Sequence, residues 1–392
     1  MKDKLFEQVE ALRPRLCALS DAIFDHPEPG LEETFACGLL TDFLCKEGFS
    51  VQKGLGSLST AFRAEWVCGE GGPVFGFLCE YDALRGFGHG CGHQLQAPAA
   101  IGAALALKRC LPAEFGCRLV VYGTPAEETI GGKITLLKEG FLQDLDIALI
   151  THGGPMTCVD VRSMALASLD VIFTGKSSHS AIQPENGRSA LDALLLTFQG
   201  VEFLREHVPE DTRMHYTVTQ SPGPANVVPA RAEGSFILRS YNSDYLRKLT
   251  ARFENIVRGA ALMTETQYEI VHNEGMESTV PVLSLGDLIM ENARLAGAPN
   301  IQPPRLKTGS TDFGNVSYRI PGCCLRIPFV PEGSPSHSQV FLDFGKSPEA
   351  HDAVCFGAKI LAGTVQDILS IPGKLEEIRR EFDETRAKMS QA

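Results

Sequence analysis

The feature that most limits what this chain can fold into is a change of pattern near its middle. Before about residue 163, short apolar runs alternate with helical ones. Val74–Cys79, Arg118–Tyr122 and Ile147–Ile150 read as buried strands, and Glu32–Lys46, Ala97–Leu111 and Lys133–Glu139 as helices. An N-terminal helix from Lys4 to Ser20 is expected to be interrupted at Pro14. The order then becomes β-α-β-β-α-β: strand Leu169–Phe173, helix Ser189–His207, strands His215–Gln220 and Ala232–Arg239, a helix capped by Ser243 and running to Leu262, and strand Gln267–His272. That order is the ferredoxin-like split arrangement. Helix Val280–Ala296, strand Cys324–Pro328 and helices His351–Leu369 and Leu375–Lys388 follow. Strands alternating with helices imply a sheet covered on both faces. The expectation is therefore an α/β fold: a mixed sheet flanked by helices, assembled from 1–163 and 277–392, with a smaller α+β domain inserted at 164–276.

With 392 residues the chain is too long for one ordinary core and suits two domains. A net charge of −12 disfavours nucleic acid or an anionic membrane as partner, so an acidic ligand would need locally placed basic groups. The twelve cysteines are scattered, none in a C-x-x-C pair, which points to a reducing compartment. Residues Met1–Glu7 lack an apolar signal core, and no run approaches ~18 apolar residues. A cytoplasmic location is expected.

Chemistry collects where strands end. Val74–Cys79 runs into Glu80-Tyr81-Asp82, then into the glycine-lined loop Gly88-His89-Gly90-Cys91-Gly92-His93. Arg118–Tyr122 runs into Gly123-Thr124-Pro125-Ala126-Glu127-Glu128, and Ile147–Ile150 into Thr151-His152-Gly153-Gly154. Ligands of open α/β sheets bind outside the carboxyl ends of strands, so Asp82, Cys91, His93, Glu127, Glu128 and His152 are expected on one rim. Thiol and imidazole suit zinc or a similar ion. Of two adjacent carboxylates, one can bind the ion while the other takes a proton from bound water. His337, in Pro335-Ser336-His337-Ser338, supplies a further imidazole if the C-terminal part completes the larger domain. In the inserted domain Gly175–Ser180, with Ser178 and His179, is rich in donors, and Asn226 and Arg239 are donors in a turn and at a strand end. A Ser/His hydrolase is the rival reading there, but no G-x-S-x-G elbow occurs in the chain.

These motifs, with Leu78–Leu84 and Gly309–Ser317, resemble the two-metal amidohydrolases and peptidases of the aminoacylase/carboxypeptidase type (peptidase family M-twenty) over nearly the whole length. The likeness is strongest to the branch holding p-aminobenzoyl-glutamate hydrolase and β-alanyl-lysine-type dipeptidases. The resemblance implies a zinc-peptidase-like catalytic domain with an inserted lid and dimerisation domain, hence a homodimer. It implies two divalent ions, zinc or manganese, on Cys91, His93, Glu128, His152 and His337. Glu127 would be the general base, Asp82 would orient a ligand imidazole, and His179 would stabilise the oxyanion. Asn226 and Arg239 would hold the substrate's carboxylate or the carbonyl side of the scissile bond. Departures are Glu80, where many relatives have His, Gln94 in place of Asn or Asp, and Arg85 in place of Pro. The implied activity is hydrolysis of the amide bond of a small N-acyl amino acid or dipeptide bearing a carboxylate. Two rivals stand beside it: a catalytically silent binding protein of the same fold, and an amidase using Cys91 or Ser178 as nucleophile.

Overall fold

A computed structural model of the chain describes residues 1–220 and 223–391. Two compact units are present: Met1–Ser163 with Thr279–Ala387, and Met164–Ser278 with the residues from Lys388 on.

The first unit opens with helix α1 (Lys2–Asp25), which runs through Pro14 without a break. Leu5, Val9, Leu12, Leu16, Leu19 and Ile23 form one buried stripe on both sides of the proline, and that burial outweighs the missing hydrogen bond. Helix α2 (Thr34–Lys46) leads into an antiparallel pair, β1 (Ser50–Leu55) and β2 (Leu58–Cys68). Then come β3 (Val74–Cys79), α3 (Gln96–Cys110), β4 (Cys117–Gly123), α4 (Gly132–Lys138), β5 (Ile147–Gly154) and the short β6 (Cys158–Asp160). Pro98 sits in the first turn of α3, where its missing N–H leaves no bond unmade.

The second unit contains β7 (Ala165–Thr174), α5 (Ala190–Arg205), β8 (Arg213–Gln220), β9 (Arg231–Ser240), α6 (Ser243–Thr264) and β10 (Gln267–His272). Its sheet order is β10-β7-β9-β8, all antiparallel, the ferredoxin-like order. Helices α5 and α6 pack on the sheet around Phe173, Phe236, Leu249 and Phe253. The cap of α6 is Asn242, one residue ahead of Ser243. Its side chain accepts the Asp244 and Tyr245 N–H groups at 2.9 and 3.0 Å.

The first unit resumes with α7 (Leu283–Leu295), α8 (Phe313–Ser317), β11 (Gly322–Pro328), α9 (Gln339–Asp343), α10 (Pro348–Ser370) and α11 (Lys374–Gln391). Its seven-stranded sheet has the order β1-β2-β4-β3-β5-β11-β6. The inner strands β4, β3, β5 and β11 are parallel; β1, β2 and β6 pair antiparallel at the edges. The fold is thus a mixed α/β sheet flanked by helices. Helix α10 is long and apolar enough to cross a membrane, yet 78% of its apolar window is buried, against α1, α3 and α7. Parallel pairing with β11 draws β5 out to Gly154, so His152 lies inside a strand rather than after one.

Candidate metal centre

The carboxyl ends of β3, β4 and β5 carry the reactive groups of the first unit. Every residue of β3 is buried, so the chain can turn polar only past Cys79, and it does so with Glu80 and Asp82. Asp82 works in two directions. Its Oδ1 lies 3.2 Å from His93 Nδ1, and its Oδ2 accepts the Glu128 N–H at 3.0 Å. One carboxylate therefore fixes the ring of His93 and the backbone that carries Glu128. With Nδ1 committed, His93 Nε2 points inward, buried and without a hydrogen bond.

Around that nitrogen lie Glu80 Oε2 at 3.1 Å and Glu128 Oε1 at 3.9 Å. Cys91 Sγ donates to Glu128 Oε1 at 2.5 Å, and His337 Nε2 stands 3.7 Å from the same oxygen. The rings of His93 and His152 meet edge to face, 5.3 Å between centroids. Three groups of donors have ligand atoms within 4.8 Å of one another: Cys91, His93 and Glu128; Glu80, His93 and His152; Glu80, Glu127 and Asp312. The loop holding Cys91 depends on Gly92, whose φ is +75° and where a Cβ would sit 2.9 Å from the ring of Phe329. A backbone bond from His337 N–H to Gly90 O, 3.0 Å, ties the distant His337 segment to this loop.

The electrostatics are those of a cluster short of positive charge. Burial and the neighbouring carboxylates Glu128, Glu127 and Glu80 push the Cys91 thiol far up. Burial, then Glu80 and Asp312, push Glu127 well above the usual carboxylate range. Burial opposes charge on His93, but Glu80 and Asp82 lift it to about 10. His152 is held well below the usual imidazole range by burial and then by Arg326 and His93. An inward, unpartnered imidazole nitrogen among thiol and carboxylates is what a divalent cation requires. The residues present fit such an ion.

Lys133 carries no role in the sequence reading and has a large one here. Its fully buried ammonium lies 2.6 Å from Glu80 Oε1 and 2.7 Å from Asp312 Oδ1. Gln96 Nε2 also donates to Glu80 Oε2 at 2.6 Å, so the residue that stands where many relatives have His is held by Lys133 and Gln96. The available signal was a lysine in the first turn of a largely apolar helix, α4, just after the Glu127-Glu128 pair. Gln94 is buried and donates to Gly345 O at 3.2 Å, and Arg85 pairs on the surface with Glu32 at 2.5 Å.

His179, Asn226 and Arg239 all belong to the second unit. His179 bridges Val227, and Ser180 N–H donates to Asn226 O at 3.2 Å, so His179 and Asn226 lie side by side and exposed. Arg239 does not join them. It pairs with Leu166 near the start of β7, whereas the His179 loop follows the other end of that strand. Ser178 Oγ donates to Gln183 O rather than to a base.

A mixed α/β sheet bearing thiol, imidazole and carboxylate donors at its strand ends makes a candidate divalent-metal centre. The sequence profile of peptidase family M20/M25/M40 matches residues 78–366. The Xaa-Arg dipeptidase of Homo sapiens is 35% identical, over 97% of this chain and 92% of that protein. One of the two kinds of chain in the p-aminobenzoyl-glutamate hydrolase of Escherichia coli (strain K12) is 30% identical, over 96% of this chain and 94% of that one. Among solved structures, a dinuclear metal-binding peptidase of the M20 family from Bacillus subtilis superposes with a TM-score of 0.72 at 20% identity, covering 91% of this chain and 99% of that one. The chain belongs to peptidase family M20/M25/M40.

Proposed function

We propose that the protein hydrolyses the amide bond of a dipeptide or N-acyl amino acid with a free carboxylate, of the Xaa-Arg or p-aminobenzoyl-glutamate kind its relatives are named for. Two divalent ions, zinc or manganese, would be held by Cys91, His93, Glu128, His152 and His337. Bound ions would polarise the amide carbonyl and bring the attacking water's pKa to about 7. The chain's own groups do the rest. Asp82 fixes His93 so that Nε2 faces the centre. Lys133 neutralises Glu80 and Asp312, leaving Glu127 as the carboxylate free to accept the water proton and return it to the departing amine. His179 donates to the developing oxyanion, and Asn226 beside it, with Arg239 near the opposite end of β7, would between them hold the substrate's carboxylate or the carbonyl side of the scissile bond.

The second unit acts as lid and homodimer surface in this reading. Its support is the open edge of β8, with Tyr216 and Val218 exposed. A cytoplasmic location fits its twelve free cysteines.

The observation that carries the reading is the Cys91, His93 and Glu128 group with Glu127 alongside. The test is Glu127→Gln. Turnover of a dipeptide panel should fall about 10²–10⁴-fold, with metal content by mass spectrometry unchanged. Undiminished turnover would remove Glu127 from its role. Turnover that survives a chelator would favour a nucleophile such as Cys91.

A further inference from the structure

Beside the metal centre, within the first unit, lies a small cleft with a cavity volume of about 50 Å³. Asp160, Arg305 and Arg326 are the only charged groups among its lining residues. Arg326 Nε donates to Asp160 Oδ2 at 2.8 Å, and Arg305 Nε lies 3.1 Å from Asp160 Oδ1. One carboxylate thus meets the Nε edges of two arginines. Among the described residues, the Nη groups of Arg305 take part in no hydrogen bond, and those of Arg326 only in a long one, 3.5 Å to Gly153 O. The cleft therefore carries a surplus positive charge and unspent donors, in a chain whose net charge is −12.

Its position relative to the chemistry is fixed by strand register. Arg326 on β11 pairs with His152 on the parallel strand β5. Paired residues on adjacent strands project to the same face, about 5 Å apart. Phe313, another lining residue, directly follows Asp312, whose carboxylate groups with Glu127 and Glu80. The cleft is therefore one residue from the donors on each side.

We propose that Arg305 and Arg326 form the subsite for the carboxylate of the amino acid released by hydrolysis. This rests on the amide-hydrolase reading above. In an N-acyl amino acid a single carbon separates the scissile nitrogen from its carboxylate, so a substrate whose amide lies at the metal donors must place its carboxylate close by. Guanidinium Nη pairs match carboxylate oxygens in geometry and charge. Asp160 engages both guanidinium groups at Nε, accepting a hydrogen bond from Arg326 and standing in ion-pair contact with Arg305, so their Nη groups are not spent on it. Arg305 is carried there by its own backbone, whose N–H donates to Val159 O at 2.9 Å along β6.

The test compares Arg326→Gln and Arg305→Gln with the parent protein. The best substrate of the dipeptide panel is assayed as free acid and as C-terminal carboxamide. For the free acid, KM should rise about ten- to hundredfold with kcat little changed, while the carboxamide is unaffected. Because Asp160 loses a partner, Asp160→Asn combined with Arg326→Gln is included; it should behave as Arg326→Gln does while melting near the parent temperature. Equal losses on acid and carboxamide, or no loss on either, would overturn the subsite. Calorimetry with free arginine, glutamate and alanine separates the two readings. A parent that binds an amino acid, loses it on Arg326→Gln and yet hydrolyses no amide keeps the subsite and sinks the hydrolase. A parent that hydrolyses amides but discriminates acid from carboxamide equally well without either arginine does the reverse.

Discussion

At the scale of single residues, the turn that presents Glu127 and Glu128 is held by a group from far away in sequence. Ala126, just ahead of the pair, has φ of +62°, a conformation that costs a residue with a Cβ about 1–2 kcal/mol. Glu33, fully buried at the start of α2, accepts the Ala126 N–H at 2.8 Å and the Thr60 hydroxyl at 2.9 Å. Removing that carboxylate leaves the turn free to relax and move Glu127. A misplacement of about 1 Å at a reacting group can cost about 10²-fold in rate. Glu33→Ala should therefore lower kcat by one to two orders of magnitude at unchanged metal content. Glu33→Gln should restore most of it, since an amide oxygen can still accept from Ala126 and its NH₂ can donate to Thr60. Equal kcat in the two variants would show that the bond from Ala126 to Glu33 does not position Glu127.

At the scale of elements, α1 and α10 are joined by charge as well as by burial. Glu10 meets Arg13 Nε at 2.7 Å and Lys359 Nζ at 2.5 Å, and Arg13 reaches Asp352 at 2.7 Å. The hydrogen bond from Arg13, with Lys359 behind it, pulls the Glu10 carboxyl down to about 2. A carboxylate whose pKa is lower folded than unfolded stabilises the fold above its unfolded value, about 4.3, and that gain fades as pH falls toward 2. Glu10 is largely exposed, so the gain is limited to about 1 kcal/mol or less. Denaturant melts should show Glu10→Gln slightly less stable than the parent at pH 7, with the gap narrowing below about pH 4. A gap that widens in acid would contradict the pairing.

The elements also show what the sequence discloses. The parallel strands β3, β4 and β5 were legible because a strand buried on both faces must be apolar throughout. The pair β1 and β2 went unread, since Gln52 and Lys53 interrupt the edge strand β1, which need bury only part of its surface, and Arg63 and Glu65 interrupt β2 beside it. The three residues of β6 carry no period at all. At the site, the strand-end acids and the Cys-Gly-His loop stood out locally. Lys133, Asp312 and Glu33 act through partners that only the folded chain brings near.

At the scale of the whole molecule, the two units divide the chemistry unequally. Every candidate group of metal donors among the described residues lies in the first unit. A ligand bound only by the folded form stabilises it by about 2.7 kcal/mol at a hundred times its Kd, and a chain of two units need not melt in one step. Trp66, the only tryptophan of the chain, sits in β2 of the first unit, so its fluorescence follows that unit alone. Far-ultraviolet dichroism follows both. Zinc or manganese added to chelator-treated protein should raise the Trp66 transition by several degrees and leave any separate transition seen only by dichroism in place. Cys91→Ala, which deletes the thiol from the donor group, should shrink the Trp66 shift. A shift of equal size in that variant would place the ion elsewhere. Metal that moves only the dichroism transition would transfer the binding site to the second unit and remove the basis for the hydrolytic reading.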